Sequence, residues 1–465
     1  MADTKSNGSP PDRVIGHPVF NQPEPTADPR TFKIKHASDA AAYAKIDALN
    51  REHKLQATPF RPPRGLPEPQ LTLQEVLGDP NDRSGTMARI QRNGQIVFHS
   101  GGDCGPTTVT KLERDTQVVD KMVSDFDETS EKEIPQFHFL LGDIVYSFGE
   151  VRYYYDQFYE PYRDYPAPIM AAAGNHDGMV APESRAKALD GFIRNFCAED
   201  FVVRPEAGGL SRTAQIQPGV FFTFDAPFVR IVTLYSNVLE DPGVIADGTI
   251  GDSQLKYVRA ALQRVKAERY NGALLFADHH PPFSGVSNTN KGSGARHGPS
   301  ADMLAQLDAI CKSVGVWPHA FLSGHAHNYQ RFTRTLTDSS GTVRDIPYIV
   351  CGNIGHNVQT LSKYGATIRA PQRIKSDPNE QVVFDRYDDQ NFGYLRVIVS
   401  SSQLRIEYHP ASDGPSAKTP DDSVTVDLQT HRLTTYDAPD LGQPRQARET
   451  AKLAKEHPLR YGRRR

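Results

Sequence analysis

From about residue 91 onward, short apolar runs alternate with stretches of helical period. Ile96-Val97-Phe98, Phe137 to Leu141, Ile169 to Ala173, Phe228 to Leu234, Ala273 to Ala277 and Ala320 to Leu322 read as strands. Thr107 to Phe126 has the spacing of an amphipathic helix, Val151 to Tyr159 suits a helix, and two more helices are expected near 252–266 and 300–313. Strand–turn–helix repetition of this kind predicts an α/β fold, a sheet flanked by helical layers. Past His356 the pattern turns mostly β, with Tyr394 to Val399 and Leu404 to Tyr408 alternating well. The chain has no evident internal repeat.

The flanks are written differently. Residues 1–90 carry prolines at Pro10, Pro11, Pro18, Pro23, Pro25 and Pro29 and again from Pro59 to Pro69, which predicts an extended, irregular arm. One helix fits between the clusters, with Tyr43, Ile46 and Leu49 on one face, and the arm is expected to pack on the outside of a domain spanning 91–412. Residues 413–465 form a polar C-terminal extension. Its last stretch, Arg445 to Arg465, holds eight Lys or Arg and reads as a solvated basic tail with a short helix around Ala447 to Glu456.

Composition narrows the class. With 38% hydrophobic and 23% charged residues in 465, the chain suits a soluble globular enzyme, and 35 Gly plus 35 Pro imply many turns. A net charge of −3 argues against specific nucleic-acid binding. No apolar run is long enough for a membrane span, and the polar N-terminus lacks a secretory signal. A cytoplasmic location is therefore expected, with a secreted or periplasmic one if a signal was not included. Cys104, Cys197, Cys311 and Cys351 are scattered, so free thiols are expected instead of a disulfide framework.

Chemistry concentrates in five ordered segments. They are Gly102-Asp103-Cys104-Gly105, Gly142-Asp143-Ile144-Val145-Tyr146, Gly174-Asn175-His176-Asp177, Asp278-His279-His280-Pro281 and Gly324-His325-Ala326-His327. Most follow an apolar run, so they fall where ligands gather in α/β sheets, at the carboxyl ends of strands. A single Gly-Asp is an ordinary turn. The ordered set supplies two carboxylates, a phenol, an amide and at least three imidazoles, enough for two metal ions. Tyr146, three residues after Asp143, suits a strongly Lewis-acidic ion such as Fe(III), which lowers a phenol pKa from its usual ~10. Tyr153, Tyr154 and Tyr155 read as packing residues. His176 is placed to touch a substrate oxygen or move a proton.

These segments resemble the five blocks of the calcineurin-like metallophosphoesterases and, more narrowly, the purple acid phosphatases. The first block lacks the histidine that metallophosphoesterases tend to carry, and Tyr146 stands in its place. The resemblance covers roughly residues 91–410. It implies a four-layer αββα metallophosphoesterase sandwich with a Pro-rich N-terminal arm and a basic C-terminal tail. It makes Asp103, Asp143, Tyr146 and His327 the Fe(III) ligands, with Asp143 bridging to a divalent Fe, Zn or Mn ion completed by Asn175, His279 and His325. His279 is preferred to His280 because the family pattern is His-x-Pro. His176 matches the substrate-contacting histidine of the third block. His297-Gly298-Pro299 resembles a His-Gly-Pro of the small, mammalian-type members, although 18 residues separate it from His279; His280 is its competitor. His356, in a late glycine turn, is expected to be structural.

The implied reaction is hydrolysis of a small-molecule phosphomonoester by direct attack of metal-bound hydroxide, with His176 or His297 protonating the leaving alkoxide. A phosphodiesterase acting on cyclic nucleotides or phospholipid headgroups uses the same metal pair and is the alternative. A non-catalytic phosphate-binding protein would lack ligands, and none is missing here. Substrate-pocket walls are expected from the loops 178–218 and 284–299.

Overall fold

A computed structural model describes residues 12–22, 39–52, 54–285, 297–361 and 369–437. In chain order the strands begin with β1 (Arg13–Val14), β2 (Gln70–Thr72), β3 (Gln95–Gly101), β4 (Pro135–Leu141), β5 (Ile169–Ala172) and β6 (Val202–Val203). They continue with β7 (Phe222–Ala226), β8 (Val229–Thr233), β9 (Ala273–Ala277), β10 (Ala320–Ser323), β11 (Tyr329–Thr337) and β12 (Val343–Cys351). The last are β13 (Gln372–Asp377), β14 (Glu380–Asp388), β15 (Gly393–Ser400), β16 (Gln403–Pro410), β17 (Asp422–Asp427) and β18 (Arg432–Leu433). The helices are α1 (Asp39–Arg51), α2 (Leu73–Val76), α3 (Thr86–Asn93), α4 (Val109–Ser124), α5 (Asn175–Gly178), α6 (Asp190–Phe196), α7 (Ser253–Ala267) and α8 (Ala301–Val314).

Nine strands form one sheet in the order β13-β14-β11-β12-β10-β9-β8-β7-β2, and seven form a second, β18-β17-β16-β15-β3-β4-β5. β3, β4 and β5 run parallel, as do β8, β9, β10 and β12. The sheets pack face to face. Phe137 of β4 meets Phe224 of β7 edge-on at 5.1 Å, and Tyr329 of β11 stacks on Tyr408 of β16 at 4.1 Å. Helices cover the outer faces, α4 burying Leu112, Val118, Val119 and Met122, and α7 and α8 burying Tyr257, Leu262, Leu307 and Ile310. This is the layered α/β sandwich expected.

The layering explains the sequence pattern. In β9, Ala273, Leu275 and Ala277 face the seam between sheets, while Leu274 and Phe276 join the helix-side core. A strand buried on both faces has no polar side to alternate, so it reads as a continuous apolar run. Phe137→Ala would leave a hole in this seam and is expected to lower stability by about 3–5 kcal/mol, seen as a lower denaturant midpoint.

Three expectations need adjustment. Val151 to Tyr159 is helical as expected but not α: a 3₁₀ turn, Val151–Tyr153, is followed by a π turn, Tyr155–Tyr159. Tyr153 to Tyr155, Phe158 and Tyr159 are all buried, so the segment has no polar face to present to water. The π turn also aims the Gln157 amide at both the N–H and the carbonyl of Tyr146, 2.6 Å each. In α1, Ala42, Tyr43 and Ile46 pack on the core, but Leu49 is 37% exposed. The flanks also build sheet: β2 edges the nine-stranded sheet, and β17 and β18 extend the other. The basic tail Arg445 to Arg465, with its expected helix, lies outside the described residues. Cys104, Cys197, Cys311 and Cys351 are buried free thiols. Among the described residues no helix is long and apolar enough to cross a membrane.

Candidate metal centre

Each of the five segments follows a parallel strand at its carboxyl end. Asp103 comes after β3, Asp143 and Tyr146 after β4, and Asn175 opens α5 after β5. His279 follows β9, and His325 and His327 follow β10. The two sheets therefore deliver their loops to one edge of the sandwich. Asp103, Asp143 and His325 all have positive φ, at 60°, 51° and 66°. Such backbone costs about 1–3 kcal/mol for a residue with a Cβ and persists only where the surroundings over-determine it.

Gly174 shows how tightly the loops are pressed. A Cβ there would lie 2.1 Å from Asp143 Oδ1 and 2.3 Å from its backbone nitrogen. Asp177 pins the same two loops, its carboxylate accepting from the N–H groups of Ile144, Val145 and Gly174 at 3.1, 3.3 and 2.8 Å. Burial and the neighbouring Asp143 push its carboxyl upward, against those backbone donors.

Side chains converge in the space this leaves. Asp103 Oδ1 accepts from the Tyr146 hydroxyl at 2.8 Å and lies 3.2 Å from His327 Nε2, while Oδ2 accepts from the His325 N–H at 2.8 Å. Asp143 Oδ1 accepts from the His176 N–H at 2.9 Å, and Oδ2 faces His279 Nε2 at 3.2 Å. His279 Nδ1 donates to the Leu141 carbonyl at 2.8 Å, which turns Nε2 toward Asp143. His325 Nδ1 lies 3.2 Å from that same Nε2. Ligand atoms of Asp103, Asp143 and His279 all fall within 4.8 Å of one another, and all three residues are buried.

The electrostatics suit cations. Burial alone would raise the Asp143 carboxyl, but His279 and His176 hold it well below the usual carboxylate range. In return, the charges of Asp143 and Asp103 overcome burial and hold His279 at about 10. A metal ion held here would offset the charges of both carboxylates. Burial and the two aspartates push the Tyr146 phenol well above its ordinary value, so only a strong Lewis acid would hold it as phenolate. Asn175 supports the fit: its side-chain oxygen and nitrogen are buried without hydrogen-bond partners. Gln359 Oε1 is also unpartnered, while its Nε2 lies 3.1 Å from His327 Nδ1; turning that amide over lets Oε1 accept Nδ1–H and leaves His327 Nε2 as the lone-pair donor. Asp103, Asp143 and His279 thus form a candidate metal site, with further oxygen and nitrogen donors beside it.

The remaining histidines separate by geometry. His176 donates Nδ1–H to the Ser147 carbonyl at 2.8 Å, and its ring lies between Tyr146 and Tyr43, at 4.3 and 5.3 Å. His297 is brought to the centre despite its long spacing, with ring centroids 4.7 and 4.8 Å from those of His325 and His327. His280 also packs against the centre, its ring centroid 4.2 Å from that of His325, but Ser236 and the Leu239 carbonyl engage its two nitrogens at 2.8 Å each and it does not line the cavity. His356 stacks on Tyr146 at 3.5 Å and is tied to the Gly105 carbonyl.

A cavity of about 120 Å³ opens over this cluster. Tyr43, Glu240 and Gln359, which the sequence did not signal, line it, as does Ser147, one residue past the second segment. Tyr43 reads as core from its helical spacing, and the loops holding Glu240 and Gln359 carry no motif.

Residues 102–329 match the family model described as calcineurin-like phosphoesterase. No curated protein matches the sequence. Among solved structures, the chain is similar to GAP50, described as the anchor in the inner membrane complex of Plasmodium, at 12% identity, covering 71% of this chain and 87% of that one, with a TM-score of 0.45. It is also similar to PhoD at 14% identity, covering 76% and 74%, with a TM-score of 0.44.

Proposed function

Starting from the calcineurin-like phosphoesterase domain that this chain carries, we propose a two-metal acid phosphatase of the purple acid phosphatase type that hydrolyses small phosphomonoesters. The observation that carries the reading is the meeting of Tyr146 and His327 on one oxygen of Asp103, at 2.8 and 3.2 Å. A phenol, an imidazole and a carboxylate at one point suit Fe(III). Asp103, Asp143, Tyr146 and His327 would hold that ion. Asp143, Asn175, His279 and His325 would hold a divalent Fe, Zn or Mn ion. When bound, such a pair supplies Lewis acidity to the phosphoryl oxygens and activates water.

The chain's own part is positioning and proton transfer. His176, with Nδ1–H fixed on Ser147, offers Nε2 to a phosphoryl oxygen. His297 Nε2 lies 3.9 Å from Glu240 Oε1, so an imidazole N–H there would face a carboxyl oxygen. This favours His297 as the donor to the leaving alkoxide, with His176 orienting the phosphoryl group. His280, engaged at both nitrogens, orders the loop behind His279.

Two measurements test the reading. The iron-loaded protein is expected to show a visible tyrosinate band that Tyr146→Phe removes; a colourless but active iron enzyme would overturn the subtype. Matched monoester and diester substrates should give higher kcat/KM for the monoesters at acidic to neutral pH. A preference for diesters would reverse the assignment.

A further inference from the structure

The arm reaches the centre through α1, a helix outside the segment that matches the family model. Tyr43 of this helix lines the cavity. The Tyr43 ring stacks on His176 at 5.3 Å with planes 30° apart and meets Phe148 edge-on at 6.3 Å. Its hydroxyl donates to Glu240 Oε2 at 3.2 Å. Further along the helix, Asn50 Oδ1 accepts from the Glu240 N–H at 3.4 Å, and Lys45 pairs with Glu183 at 3.2 Å. Ala42 and Ile46 complete the apolar seat. The helix is thus fastened over the loops that carry His176 and Glu240.

That placement sets the shape of the cavity. Metal-site residues form its floor, while Tyr43 and Glu240 form part of its wall. Its volume of about 120 Å³ is small beside the roughly 300–1,000 Å³ of ordinary small-molecule sites. A phosphoryl group seated on the floor leaves little room for its leaving group beneath the ring. Glu240 adds a carboxylate that can accept from a hydroxyl there.

We propose that Tyr43 is the specificity-determining residue of this site, restricting it to phosphomonoesters of small hydroxyl-bearing alcohols and excluding bulky aryl esters and phosphoproteins. The inference rests on the phosphomonoesterase reading above. It makes the arm a working wall of the enzyme, built from a segment that holds no metal ligand.

The test compares kcat/KM for glycerol 2-phosphate and 1-naphthyl phosphate in the metal-loaded full chain. The wild-type protein is expected to prefer the glycerol ester. Tyr43→Ala should move the ratio about 10-fold or more toward the naphthyl ester, the scale on which pocket walls discriminate. Tyr43→Leu, which keeps an apolar contact for the helix, should move it the same way. Tyr43→Phe retains the ring and should keep the wild-type ratio, and Leu49→Ala, on the exposed side of α1, should leave both rates unchanged. A folded Tyr43→Leu protein with the wild-type ratio would overturn the inference while leaving the phosphatase intact. Failure of the metal-loaded wild type to turn over either ester would instead overturn the phosphatase reading and the inference with it.

Discussion

Asp143→Asn is expected to strip bound metal and abolish turnover together. Both carboxylate oxygens are committed, one to the His176 N–H and the other toward His279 Nε2. The amide has nearly the same shape but no charge, and its NH₂ group would oppose one of those N–H or imidazole partners. A loss of at least about 100-fold is expected, since removing even a group behind a metal ligand costs 10- to 100-fold. Elemental analysis and a glycerol 2-phosphate assay on the same preparation decide it. A variant that kept both metal and activity would remove Asp143 from the centre.

Gly174→Ala should do comparable damage without removing a donor atom. The residue's φ of −94° suits alanine, so the backbone conformation itself is not at issue. The added methyl would land 2.1 Å from Asp143 Oδ1 and 2.3 Å from its nitrogen, a contact that only movement of the loop relieves. Overpacking of this kind lowers stability by about 1–3 kcal/mol. Shifting a reacting group by about 1 Å can cost 100-fold in rate. Thermal unfolding should show a modest loss while activity falls much further. Wild-type kcat/KM in this variant would mean that the two loops are not packed as described.

Most of the central architecture was legible because burial on both faces writes strands as short apolar runs. β9, read as Ala273 to Ala277, is found with those bounds. β13 was invisible for the opposite reason. Gln372 to Asp377 is exposed throughout, and its pairing is imposed by β14. The aromatic run after Glu150 showed a helix but not its type, because tertiary burial, not helical propensity, sets its turns. In the site, the five segments were legible because metal ligands beside strand-end turns are a local signature. Tyr43 and Glu240 come from segments whose chemistry is ordinary, and only folding brings them to the cavity. His297 lies between these cases. Its distance along the chain from His279 departs from the pattern, yet a left-handed turn, φ 65°, places it beside His325.

The proposed donor set is divided between the two sheets. Asp103, Asp143, Tyr146 and Asn175 hang from the seven-stranded sheet, and His279, His325 and His327 from the nine-stranded one. Ions held by both groups would rivet the seam from its open edge. Their binding energy would then resist parting of the sheets, by about 4 kcal/mol at a thousandfold excess over Kd. Chelation should accordingly soften this edge of the sandwich first, so that amide exchange in the loops after β4 and β10 quickens before the Phe137 seam opens.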